Sequence, residues 1–236
     1  MSYSNPVFIP GPTNLPESVR RAIDLPTIDH RSPAFVEAMP KLFAGLKSIF
    51  ATKSPHIFVF PSTGTGGWEA TIANTLSPGD KVLACRHGVF SDKWIRMCEA
   101  FGLVVDVIEC DWRGPADPAL IEAALLADQN HAIKAVLATH NETATGVRSD
   151  LKAIRESIDR AEHNALFFVD GVSSIASIDF QMDAWGVDAA VTGSQKGFMM
   201  PAGLAIVAVS EKAIDAGKTA TLPRFFFDFK QMGQMT

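Results

Sequence analysis

With 236 residues, 47% of them hydrophobic and 20% charged, the chain is long enough for one large domain, or two small ones, with a substantial buried core. Its formal net charge of −5 leaves no basic excess to make a nucleic-acid footprint, so no nucleic-acid partner is expected. The longest apolar runs, such as Ala165–Val169 and Leu204–Val209, are strand-sized, and Met1–Pro12 lacks the basic start and apolar stretch of a secretory signal; a cytoplasmic protein with no membrane partner is expected.

In chain order, short apolar β-rich runs fall at Ile57–Phe60, Val82–Cys85, Val104–Glu109, Lys134–Thr139, Ala165–Asp170, Ala189–Thr192 and Leu204–Val209. Several are apolar at nearly every position, which suits strands covered by helices on both faces. Helix candidates lie between them at Gly67–Leu76, Phe90–Phe101, Pro118–Leu126 and Asp150–His163. The last begins at Ser149 and Asp150, good N-cap residues, and stops at His163-Asn164. The alternation predicts an α/β fold, a mainly parallel seven-stranded sheet flanked by helices.

One connection departs from that pattern. Only about eleven residues separate Thr192 from Leu204, and they include Gly193, Gly197, Pro201 and Gly203. A parallel crossover needs a dozen or more residues, so these two strands are expected to run antiparallel, joined by a loop that presents Lys196. No internal repeat or low-complexity linker interrupts the chain, which reads as an N-terminal arm over 1–18 and one domain over 19–236. Cys85, Cys98 and Cys110 form no C-x-x-C pair and are too scattered for a disulfide framework, so reduced thiols and no zinc site are expected.

Four stretches carry chemistry. Pro61-Ser62-Thr63-Gly64-Thr65-Gly66-Gly67 follows a strand and precedes a helix, where backbone N–H groups, hydroxyls and the helix dipole suit a phosphate. It has neither the Walker A nor the G-x-G-x-x-G spacing, and such turns often satisfy geometry alone. Asp170 ends the run Leu166–Asp170, and ligands of open α/β sheets bind beyond the carboxyl ends of strands. A carboxylate there can hold a metal, a nucleophile or a protonated ring nitrogen; no second carboxylate or histidine stands near it at ligand spacing, so no metal is expected. Lys196, in Thr192-Gly193-Ser194-Gln195-Lys196-Gly197, reads either as a solvated loop lysine or as a desolvated amine suited to Schiff-base formation. His140-Asn141-Glu142-Thr143-Ala144-Thr145-Gly146 again follows a strand. Each signal alone is ambiguous, but together they set a phosphate cradle, a carboxylate, a hydroxyl and a lysine at strand ends.

On these motifs, the chain resembles the class V, fold-type I pyridoxal-phosphate (PLP) aminotransferases, and most the serine–glyoxylate and alanine–glyoxylate enzymes. The resemblance runs from Pro10-Gly11-Pro12-Thr13-Asn14 to the end of the chain, through Asp29-His30-Arg31-Ser32-Pro33, Thr63–Gly66, Asn74–Asp80, His140–Gly146, Asp170–Ser174 and Gly193–Lys196. It implies the large PLP domain of that fold, with the small C-terminal domain absent. It also implies that Lys196 bonds to the cofactor and shuttles the proton, and that Asp170 pairs with the pyridine nitrogen. Thr63, Gly64 and Thr65 would hold the phosphate, with Gln195 nearby. Thr143 would bond the phenolic oxygen, Phe90 would stack on the ring (or serve only as core) and Val172 would pack its other face. The implied reaction takes an amino group from L-serine or L-alanine to glyoxylate, giving glycine and a 2-oxo acid, in a homodimer.

Family members continue beyond the position of Thr236, into the part that carries the arginine for the substrate carboxylate. The chain by itself is therefore expected to be weakly active or inactive, and aggregation-prone around Phe225-Phe226-Phe227. A peroxisomal tag, if any, would lie beyond Thr236. The competing readings are a PLP lyase or cysteine desulfurase of the same fold, a non-catalytic PLP-binding fragment, and a nucleotide-binding α/β protein. Desulfurases typically carry His before the lysine, where this chain has Gln195.

Overall fold

The computed structural model describes residues 7–234, so the first six residues of the expected arm and the last two of the expected domain lie outside the described residues. Helices α1 (Glu17–Ile23) and α2 (Pro33–Phe50) lead into β1 (Ile57–Pro61) and α3 (Gly64–Thr75). Then come β2 (Lys81–Arg86), α4 (Val89–Ala100), β3 (Val104–Glu109), α5 (Pro118–Ala127) and β4 (Ile133–Thr139). A two-residue ribbon, β5 (Asn141–Glu142) with β6 (Val147–Arg148), precedes α6 (Leu151–Arg160), β7 (Leu166–Asp170), β8 (Ala189–Gly193) and β9 (Leu204–Val209). The chain ends in α7 (Glu211–Ala216) and α8 (Phe229–Gly233).

Seven strands form one sheet in the order β1-β9-β8-β7-β4-β2-β3. The pairs β8–β7, β7–β4, β4–β2 and β2–β3 are parallel, whereas β9 runs antiparallel to both neighbours, β8 and β1. The short glycine-rich connection from β8 to β9 therefore does what its length requires. The pairing of β9 with β1 is a non-local contact that the sequence alone did not announce.

The apolar strands are apolar because both faces are covered. Phe167 and Val169 of β7 pack on one side with Ile121 and Leu125 of α5 and Ile154 and Ile158 of α6. Leu166 and Phe168, their alternating neighbours, pack on the other with Trp68 and Ile72 of α3 and Trp94 and Ile95 of α4. The period of two sends successive side chains into two separate cores. Asp150 caps α6 by accepting the Ala153 N–H at 3.0 Å, and Asp117 caps α5 by accepting that of Ala119 at 2.9 Å.

Two differences from the sequence reading matter. The stretch before β1 holds two helices that were not anticipated; α2 carries Pro40 and Gly45, both poor helix formers, in its interior and buries only Leu46 and Phe50. Helix α3 starts at Gly64, three residues before the expected Gly67, which moves the glycine-rich segment from a loop into the helix's first turn. Glycine is a poor helix former, and its abundance there concealed the boundary.

The reason for one of those glycines is steric. A Cβ on Gly67 would lie 2.4 Å from Val191 Cγ1, against the sheet beneath. Glycine to alanine inside a helix ordinarily stabilises by about 1 kcal/mol. Here Gly67→Ala should instead destabilise, by roughly 1–3 kcal/mol as overpacked cores do. Urea denaturation of the two proteins decides the sign, and a more stable variant would show that α3 is not pressed against β8 as described.

Candidate active site

Six strands of the sheet point the same way, and five of them end at one place. The chain leaves β1 through Ser62-Thr63, β2 through His87-Gly88, β4 through His140, β7 at Asp170 and β8 through Ser194-Gln195-Lys196. All expected site residues lie on these exits or on the first turn that follows them.

Thr63 is the N-cap of α3 with extended backbone, but its side chain makes no capping bond. The Gly67 N–H donates to Thr63 O at 3.1 Å, whereas those of Gly64, Thr65 and Gly66 make no hydrogen bond among the described residues. Three first-turn donors are thus free, at the positive end of a twelve-residue helix. Gly64 also lets Val172 approach: a Cβ there would sit 2.5 Å from Val172 Cγ2. Lys93, from α4, donates to Thr65 Oγ1 at 3.0 Å and lies 5.9 Å above the Trp68 ring, which adds a positive charge beside the free donors.

Asp170 is 4% exposed. One carboxylate oxygen accepts the Val172 N–H at 2.9 Å, and no cationic side chain forms an ion pair with it among the described residues. Burial pushes its pKa up to about 7, the Glu142 carboxylate pushes the same way, and the Val172 N–H, Trp68 and Lys196 oppose them. The Trp68 indole stacks on Trp94 at 5.4 Å; its N–H is close enough to favour the Asp170 anion but makes no well-formed hydrogen bond. Desolvation lowers the Lys196 pKa, against the pull of the Asp170 charge. A buried carboxylate with no cation bonded to it and a partly desolvated amine share one cleft.

The remaining residues close around that pair. Thr143 donates to Ser173 Oγ at 2.9 Å, Asn141 Nδ2 donates to the same oxygen at 2.8 Å, and Ser173 in turn donates to Asn141 O at 3.0 Å. This ties the exit of β4 to the turn after Asp170. His140 pairs with Ser174 Oγ at 2.9 Å beneath them, and burial takes its pKa down to about 4, so the ring is neutral at physiological pH. Phe90 is half-buried in the first turn of α4. Gln195 has its side-chain oxygen buried without a partner. The sequence reading gave no role to Trp68, Lys93 or Ser173, although Ser173 lay in the noted Asp170–Ser174 motif; their contacts depend on elements distant in sequence. Thr13 lay in a noted motif without a role; its N–H donates to Gln195 O at 3.0 Å and its hydroxyl to Lys196 O at 3.1 Å.

A helix N-terminus with free N–H groups, a buried carboxylate and a lysine thus gather at the carboxyl ends of the parallel strands, where open α/β sheets bind ligands. The aminotransferase class-V family pattern matches residues 18–222, and the chain belongs to that family. It is 59% identical over 232 residues to the L-aspartate–glyoxylate aminotransferase of Paracoccus denitrificans, covering 98% of this chain and 59% of that protein. It is 51% identical over 235 residues to the serine–glyoxylate aminotransferase of Hyphomicrobium methylovorum, covering 98% and 58%. Among solved structures, ureidoglycine–glyoxylate aminotransferase from Bacillus subtilis superposes with a TM-score of 0.90 at 29% identity, over 99% of this chain and 60% of that one. The chain thus spans about three-fifths of the length of the relatives it matches.

The burial of Asp170 makes stability depend on pH. Its folded pKa, about 7, lies above the ordinary aspartate value, so the folded state keeps a proton that the unfolded chain has released. The stability it contributes is fully present below about pH 4 and is lost as pH rises through 7. In urea titrations of the protein alone between pH 4.5 and 8, Asp170→Asn should remove most of this decline, which amounts to a few kcal/mol. An unchanged slope in the variant would place the titrating group elsewhere.

Proposed function

We propose that this chain is the cofactor-binding part of a PLP-dependent aminotransferase, one that moves the amino group of L-serine or L-alanine to glyoxylate and yields glycine and a 2-oxo acid. The observation that carries the reading is Asp170, a carboxylate buried at the end of β7 with no ion pair among the described residues, whose pKa burial raises, beside a lysine whose pKa burial lowers. A protonated ring nitrogen is the cation that fits, since it would bring that carboxylate back to its anion and be held protonated in return.

The fit extends to the rest of the cleft. The free N–H groups of Gly64, Thr65 and Gly66, the hydroxyls of Thr63 and Thr65, and Lys93 match a phosphate dianion. Gln195 stands next to Lys196 with an unpaired side-chain oxygen. Phe90 and Val172 would hold the ring, and Thr143 would offer its hydroxyl to the phenolic oxygen. When bound, PLP would supply an electron sink at the substrate α-carbon. Lys196 would hold the cofactor and then move the proton that leaves the substrate α-carbon. Its lowered pKa suits both roles, because more of the amine is unprotonated near neutrality.

A second donor has a specific observation in its favour: the relative at 59% identity is named for L-aspartate. A cytoplasmic homodimer is the setting we propose. Among the described residues no helix is long and apolar enough to cross a membrane. Phe8 in the arm, Leu25 and Ile28 between α1 and α2, and Val36 in α2 stand exposed, apolar area that a second copy would cover.

Visible absorption with added PLP tests the reading. A band that develops with this protein and is lost in Lys196→Ala is expected, and its absence from both would reject the assignment. In the same cuvette, L-serine, L-alanine and L-aspartate separate the donors, since the preferred one should shift the band at the lowest concentration. A band that responds to none of the three would identify a binding fragment rather than a transaminating unit.

A further inference from the structure

Glu142 is a fully buried glutamate to which the reaction assigns no task. Its carboxylate accepts four hydrogen bonds: Oε1 from the N–H groups of Phe90 at 3.2 Å and Ala144 at 3.1 Å, and Oε2 from those of Phe90 at 3.1 Å and Ser91 at 3.0 Å. Phe90 and Ser91 are the second and third residues of α4, whose own N-cap, Gly88, provides no side-chain cap. The helix is therefore capped from outside, by a residue about fifty positions further along the chain. Gly88 makes room for it: a Cβ there would lie 2.2 Å from Glu142 Cγ and 2.6 Å from Oε2.

We propose that Glu142 is a positioning residue, which locks the first turn of α4 so that the Phe90 ring stands over the cofactor cleft. The inference rests on the assignment of that cleft to PLP. A charge-assisted bond from a buried carboxylate is stronger than a neutral one, and a negative group at a helix N-terminus is further favoured by the dipole. The Ala144 bond holds the turn that follows Thr143, so a single side chain anchors both the Phe90 and the Thr143 segments. Glutamine retains the shape but puts an NH2 donor against backbone N–H groups, which removes part of the cap without opening a cavity.

The test is a double-mutant cycle on the PLP dissociation constant, with Glu142→Gln, Phe90→Ala and the pair together. Phe90→Ala should weaken binding roughly three- to tenfold, the range of one aromatic contact. Glu142→Gln should weaken it similarly, and the pair should be no weaker than about twice Phe90→Ala alone. Effects that multiply, or no effect of Glu142→Gln, would overturn the proposal. A wild-type measurement covers the case in which the glutamine variant does not fold. Amide hydrogen exchange should show Phe90 and Ser91 protected relative to the uncapped Gly64 and Thr65 at the start of α3, and equal exchange at both helices would overturn the capping. If wild type gives no Lys196-dependent band, the PLP assignment and the role of Phe90 fall together, whereas a normal band with a multiplicative cycle sinks this inference alone.

Discussion

The burial of one carboxylate governs the site. Asp170 ends β7, near the middle of the sheet, where strands on both sides and helices on both faces keep water away. Ionising a group there is costly unless a cation comes to it, and the protein's own cations do not bond to it. The surrounding structure holds that carboxylate in place without adding a charge to it. Gly64 brings Val172 close, the turn after Asp170 is stitched to the exit of β4 by Ser173, and His140 below is held neutral by burial, so it adds no competing charge.

The separation of sites along the cleft follows from helix polarity and strand direction. Unpaired N–H donors collect at the start of α3, where the positive end of the helix dipole adds to them. The acidic group sits on the next-but-one exit, after β7. Had β8 and β9 been joined by a parallel crossover, a helix would have occupied the space that the Lys196 loop takes. The antiparallel return keeps that connection short and lets the lysine reach into the cleft.

Much of this was legible in the sequence, and the parts that were not share a cause. The strands could be read because double-sided burial makes them apolar at successive positions, as at Leu166–Val169. Their ends could be read because Asp170, His140 and Lys196 interrupt apolar runs with polar chemistry. The α3 boundary was obscured by glycines needed for close packing on Val191 and Val172. Helix α2 was obscured by Pro40 and by a surface that is mostly exposed within this chain. The cap of α4 by Glu142, the stacking of Trp68 on Trp94 and the pairing of β1 with β9 are long-range contacts, for which no local pattern exists.

The lysine shows how a rigid scaffold can present a mobile group. Its backbone is fastened on several sides. Lys196 O accepts the Met199 N–H at 2.9 Å and the Thr13 hydroxyl at 3.1 Å, and Gln195 O accepts the Thr13 N–H at 3.0 Å. Ser194, two residues earlier, donates to Pro201 O at 2.6 Å and accepts the Leu204 N–H at 3.2 Å, closing the loop against the start of β9. The Lys196 amine itself makes no hydrogen bond or ion pair among the described residues. The loop therefore gives Lys196 a fixed origin and a free end, which is what the proposed role of this side chain requires. The N-terminal arm supplies part of that fixed origin, which gives a physical reason for the Gly11–Asn14 segment to lie across the loop rather than extend into solvent.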